Sequence, residues 1–127
     1  MLPGQVGIDL VPFSRVRAML AGSEELLTTR MLTPREHELC YPGRTPDVPG
    51  IAGRLAAKEA VFKLFRADRG TLPWQGIEIL RGSGGWPEVH LAGRAAHLAR
   101  DARIEHIDVS IAHDEPCAIA IAYVART

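Results

Sequence analysis

The sequence predicts an α+β fold in which an antiparallel-rich sheet packs on a long central helix. Three observations carry that prediction. Gln5 to Val11 and Ile107 to Ala112 alternate with period two, and after the turn Asp114-Glu115-Pro116 the run Cys117 to Val124 returns as an apolar strand. The stretch from Gly53 to Lys63 reads as a helix that is apolar or small nearly all round, which marks it as buried. Between them, Ile77 to Leu80 and Glu88 to Leu91 flank Gly82-Ser83-Gly84-Gly85 as two arms of a hairpin.

Taken in order, the first strand sends Val6, Ile8 and Leu10 one way and Gly7, Asp9 and Val11 the other. Asp9 is the odd member of an otherwise apolar run, and the bland reading of such an acid is an edge or surface position. Pro12 suits the first turn of a helix through about Leu20, with Phe13, Val16 and Leu20 on one side and Arg15 and Met19 on another. Thr33-Pro34-Arg35-Glu36 combines a capping box with proline at the first helical position, so a short helix with a structural role runs to Cys40. From Tyr41 to Gly50, three prolines and two glycines predict an irregular loop. The central helix follows and ends before Gly70, a further helix covers Arg94 to about Ala102, and His113 stands where the next strand meets its turn.

A chain of 127 residues is expected to form one domain, residues 1–127, with a real core. Lys and Arg balance Asp and Glu at 15 each, so no general basic field suggests nucleic-acid binding. Cys40 and Cys117 lack metal-site spacing and are expected as buried free thiols. With no signal-peptide pattern and no run of about 18 apolar residues, a cytoplasmic protein without a membrane partner is expected.

The chemistry concentrates on the central helix. At about 100° per residue, Glu59 and Lys63 share a face with Ala52 and Ala56, while Arg54 and Lys58 lie together among Ile51, Leu55, Phe62 and Phe65. A carboxylate and an ammonium on a buried helix need partners, and two carboxylates such as Asp9 and Glu59 suit Mg²⁺, which completes its shell with waters and substrate phosphates. A structural ion pair plus an edge-strand acid is the alternative. The Gly82 to Gly85 cluster is followed by a strand, not a helix, so it is no phosphate loop. Ser110, His113 and Asp114 lack a nucleophile elbow, which argues against a hydrolase triad.

These pieces together resemble the AcpS type of holo-acyl-carrier-protein synthase, in the 4'-phosphopantetheinyl transferase superfamily. The resemblance rests on Gly7-Ile8-Asp9 followed by Arg15, on Thr33-Pro34-Arg35-Glu36, on Gly53-Arg54-Leu55-Ala56-Ala57-Lys58-Glu59-Ala60 with Lys63, on Ile77-Glu78-Ile79, on Gly85-Trp86-Pro87 and on Val109-Ser110-Ile111-Ala112-His113. It implies that family's fold, and transfer of the 4'-phosphopantetheine arm of coenzyme A to a serine of an apo acyl carrier protein, with release of adenosine 3',5'-bisphosphate. By the same resemblance Asp9 and Glu59 bind Mg²⁺, Lys63 lies at the phosphates, and Arg54, Lys58 and His113 line or support the coenzyme A site. It further implies a homotrimer with its sites at subunit interfaces, and carrier contacts through Arg15, Met19 and Arg30. Pro12, Met31-Leu32 and Lys63-Leu64-Phe65-Arg66 depart from the family pattern, the last lacking the customary glycine after the helix. The rivals are a non-catalytic coenzyme A-binding protein, a metal-dependent diphosphate hydrolase acting on coenzyme A, and a structural subunit in which Glu59 and Lys63 merely pair.

Overall fold

In the computed structural model, residues 5–67 and 70–124 are described. Strand β1 (Val6–Pro12) leads into helix α1 (Phe13–Gly22), then a helical turn α2 (Glu24–Leu26) that widens into a π-turn over Leu27–Met31. Helices α3 (Pro34–Cys40) and α4 (Val48–Phe65) follow, then strands β2 (Ile77–Arg81) and β3 (Pro87–Leu91), helix α5 (Gly93–Asp101), and strands β4 (Ile107–Asp114) and β5 (Cys117–Val124). β5 is the middle strand of an antiparallel sheet in the order β1-β5-β4, and β2 with β3 forms a separate hairpin.

Small side chains let α4 lie close against this sheet. Its inner face presents Gly7, Ala118, Ala120 and Ala122, and α4 answers with the fully buried Ala52, Ala56 and Ala60. A Cβ at Gly7 would collide with the Ala60 carbonyl oxygen, so glycine is required there. The larger apolar residues are turned outward: Val6, Ile8, Leu10, Ile121 and Tyr123 are all exposed, Val6 by 68%. Period two was expected, but alternation alone does not say which face meets the helix. Size does, because only the small-residue face admits close packing.

Three expected boundaries shift. Pro12 closes β1 and stands in extended backbone before α1 rather than within its first turn. The stretch from Tyr41 to Gly50 is not irregular throughout: Pro42–Arg44 forms a 3₁₀ turn and α4 already begins at Val48. Asp47 caps that helix by accepting from the Gly50 N–H at 3.1 Å, and Pro49 sits in the first turn, where a missing N–H costs nothing. His113 lies within β4, opposite Ala118, rather than at its junction with the turn. The Thr33–Glu36 capping box forms as expected, with bonds of 2.8 and 3.1 Å. Cys40 and Cys117 are free, Cys40 buried and Cys117 half-buried, and burial pushes the Cys40 thiol up to about 11.

Candidate active site

β1 runs beside α4, so the inward-facing Asp9 meets the helix at Glu59 and Lys63. Lys63 donates from Nζ to the Ile8 carbonyl at 2.7 Å and to Asp9 Oδ1 at 3.1 Å. The expected Glu59–Lys63 neighbours therefore do not pair with each other first: the lysine reaches across to β1. Glu59 instead has the Asp9 carboxylate within hydrogen-bonding reach. Its own carboxyl is pushed up to about 7, chiefly by burial, then by the bond to Asp9 and its charge; Arg15 and Lys63 oppose the rise. Two carboxylates in contact cannot both ionise cheaply without a proton or a cation between them. Asp9 is therefore neither a free surface acid nor one side of a simple ion pair.

The donor set fits a hard divalent cation. Among the described residues no group of three or more His, Cys, Asp or Glu side chains is placed to hold a metal, which argues against a closed protein cage. Mg²⁺ needs only one or two carboxylates, taking the rest of its shell from water and phosphate.

A second feature is a cavity of about 260 Å³ on another side of α4, with Gly53, Arg54, Ile79, Arg81, Ile111 and His113 in its walls. Arg54 is aimed there by two backbone acceptors, the Ile79 carbonyl at 3.1 Å from Nε and the Gly50 carbonyl at 3.4 Å from Nη1. Gly53 has Ile111 close above it, so the wall is tight against α4. Arg54 and Arg81 outweigh Asp47, the acid in the same lining, so the cavity has a positive balance suited to an anionic ligand, with the His113 imidazole beside them. Asp9, Glu59 and Lys63 do not line it, so within one chain the carboxylate pair and the cavity stand apart.

The remaining expected residues divide. Arg15 is exposed on α1 and close enough for its charge to favour ionised Glu59. Met19 is half-buried against the core, and Arg30 is exposed on the π-turn. Lys58 does not reach the cavity wall. It is fully buried, donating to Glu36 Oε1 and to the Trp74 carbonyl, both at 2.6 Å. Burial lowers its proton affinity while the Glu36 charge raises it. Sequence reasoning did not single out Arg81, whose only signal was a cation closing a strand beside a glycine turn, and it read Glu36 as a cap alone.

A model of the 4'-phosphopantetheinyl transferase superfamily matches residues 5–121 of this chain. The holo-[acyl-carrier-protein] synthase of Moorella thermoacetica is 39% identical over 120 residues, covering 94% of this chain and 92% of that protein. That of Chlorobaculum parvum is 37% identical over 121 residues, or 94% and 97% of the two chains. Among solved structures, the Helicobacter pylori holo-[acyl-carrier-protein] synthase in complex with coenzyme A is similar at a TM-score of 0.81 and 28% identity, over 95% of this chain and all 100% of that one. With the family match spanning residues 5–121, and so nearly the whole of the fold described above, this chain belongs to the 4'-phosphopantetheinyl transferase superfamily.

Proposed function

We propose that this chain transfers the 4'-phosphopantetheine arm of coenzyme A to a serine of an apo acyl carrier protein in a Mg²⁺-dependent reaction. The observation that carries the reading is the meeting of Asp9 and Glu59 beside Lys63, in a chain whose relatives are holo-[acyl-carrier-protein] synthases. The serine oxygen attacks the phosphorus bearing the pantetheine, the phosphoanhydride bond breaks, and adenosine 3',5'-bisphosphate leaves with the bond's electron pair.

Asp9 and Glu59 are the residues that would hold Mg²⁺, which supplies charge neutralisation at the diphosphate oxygens. Lys63 adds a point charge from the end of a flexible stem, and its bond to the Ile8 carbonyl orients it. The attacking group belongs to the carrier, so the chain needs no activated nucleophile of its own. Its serine proton has two destinations, Glu59 itself or a water held beside it. Held ionised by the cation, a carboxylate can accept that proton or orient the water that takes it. The cavity lined by Arg54, Arg81 and His113 would take a further anionic part of coenzyme A, with Lys58 as a support behind the wall.

The exposed Arg15 and Arg30, with Met19, form the surface offered to an acidic carrier. The outward face of Val6, Ile8, Leu10, Ile121 and Tyr123 is too apolar to be left in water, which supports a homotrimer that buries it and brings cavity and carboxylates of neighbouring copies together. Among the described residues no helix is long and apolar enough to cross a membrane, and free thiols suit a reducing cytoplasm.

Intact-mass spectrometry of apo carrier proteins incubated with the chain, coenzyme A and Mg²⁺ tests this reading. A gain of about 340 Da, the mass of the phosphopantetheine arm, that is abolished by chelation is the expected result. Adenosine bisphosphate released without any carrier would turn the reading to a hydrolase. Coenzyme A binding without modification of any carrier would favour a binding protein.

A further inference from the structure

We propose that Glu36 is a positioning residue for the cavity, acting through the backbone of Ile79 and the side chain of Arg54; this rests on the cavity being part of the coenzyme A site. The sequence accounts for only one of the bonds this carboxylate makes. A capping box needs one oxygen to receive the Thr33 N–H, which Oε1 does at 2.8 Å. The same oxygen also receives Lys58 Nζ at 2.6 Å, and Oε2 receives the Ile79 N–H at 2.7 Å. Glu36 is fully buried and so is Lys58, so each of these bonds is made in a low-dielectric interior where losing one is costly.

The geometry makes a continuous chain into the cavity wall. Ile79 gives its N–H to Glu36 and its carbonyl to Arg54 Nε, and Arg54 Nη1 goes on to the Gly50 carbonyl. Gly50, Arg54 and Ile79 all line the cavity. Among the described residues the β2–β3 hairpin shares no ladder with the β1-β5-β4 sheet, so strand pairing between them does not hold β2 against α4. Side chains do so, and Glu36 joins α3, α4 and β2 at one point. Thr33 strengthens the joint from the other side, its hydroxyl donating to Glu78 on the same strand. A carboxylate that served only the helix end would leave β2 and Arg54 indifferent to its loss.

The test is steady-state transfer to an apo carrier by Glu36→Gln, with Arg54→Ala and the double variant beside it. Glutamine keeps the shape but replaces one acceptor oxygen by an amide nitrogen; keeping the oxygen that receives both Thr33 N–H and Lys58 Nζ saves two bonds, so the bond from the Ile79 N–H is the one to go. The expected result is a KM for coenzyme A raised about tenfold, with kcat within about threefold and the carrier KM unchanged. In the Arg54→Ala background the same change should add less than about twofold, because both act along one path. Glu36→Asp, which keeps the charge beside Lys58 but shortens the reach to Ile79, serves if Glu36→Gln does not fold and should raise the same KM. If Arg54→Ala raises the coenzyme A KM while neither Glu36 variant does, or if the two effects simply multiply, Glu36 is a cap and this inference is overturned. If Arg54→Ala itself leaves the coenzyme A KM unchanged, the cavity is not the coenzyme A site and the inference falls with that reading.

Discussion

Lys58 and Glu59 are neighbours in sequence, and each belongs to a cluster that contains a pairing of lysine and carboxylate, Lys58–Glu36 and Lys63–Asp9, yet the two clusters behave as opposites. On one side of α4, Lys58 and Glu36 are wholly enclosed, and every oxygen and the ammonium have partners. On the other side, Asp9 and Glu59 face each other, Lys63 donates to Asp9 and the Ile8 carbonyl but not to Glu59, and the Lys63 side chain is 53% exposed. The first cluster is satisfied and gains nothing from a ligand. The second brings together two carboxyls that cannot both ionise cheaply, and a cation would let them. A buried, satisfied pair holds a fold in register; a half-buried, frustrated pair is where chemistry can enter.

The largest effect expected from this contrast is on turnover. Asp9→Ala or Glu59→Ala should lower kcat by about 10³-fold or more, as expected when ligands to a phosphate-bound cation are lost, while circular dichroism remains native. Normal turnover in either variant would break the distinction at its functional end. Lys58→Met should do the reverse. It leaves Glu36 charged and buried without its cation, so denaturant unfolding should show a loss of about 3–5 kcal/mol.

A smaller effect follows from Glu59, whose folded-state value of about 7 lies above the usual 4.5. The folded protein then holds this proton more tightly than the unfolded chain does. Metal-free stability attributable to Glu59 is therefore greatest at low pH, falls as pH rises from about 4.5 towards 7, and is level above that. Melting temperatures across this range, compared with those of Glu59→Gln, should reveal a decline of a few degrees in the parent that the variant lacks. The smallest effect lies at the end of α4, where Arg66 has φ 49° and ψ 40°, a left-handed cap that favours glycine. Arg66→Gly should stabilise the fold by about 0.5–1 kcal/mol without touching either cluster.

Much of this was legible in the sequence. The period-two strands, the hairpin around Gly82 to Gly85 and the Thr33 capping box are local patterns, and they formed where local physics put them. Asp9 and Glu59 stood out because each is a charge in an apolar element. Three things were not legible, because each depends on contacts distant in the chain. Helical periodicity placed Lys58 on a face but gave no sign that Glu36, 22 residues away, would cover it. The capping box announced one bond of Glu36 and concealed the bond to Ile79, 43 residues on. The alternation of β1 left its buried face undecided, although the small residues Gly7, Ala118, Ala120 and Ala122 together point to the side that meets α4. The early start of α4 was hidden by Pro49, which reads as loop and instead sits in a first turn capped by Asp47.

The most direct test of the contrast is a carbon-13 NMR titration of the Glu59 side-chain carboxyl, with and without Mg²⁺, using Glu59→Gln to assign the signal. The account predicts a midpoint near 7 in metal-free protein, and a signal that stays ionised well below that pH once Mg²⁺ is added. A midpoint at the ordinary 4.5 that Mg²⁺ does not move would mean that Asp9 and Glu59 form no shared cation site.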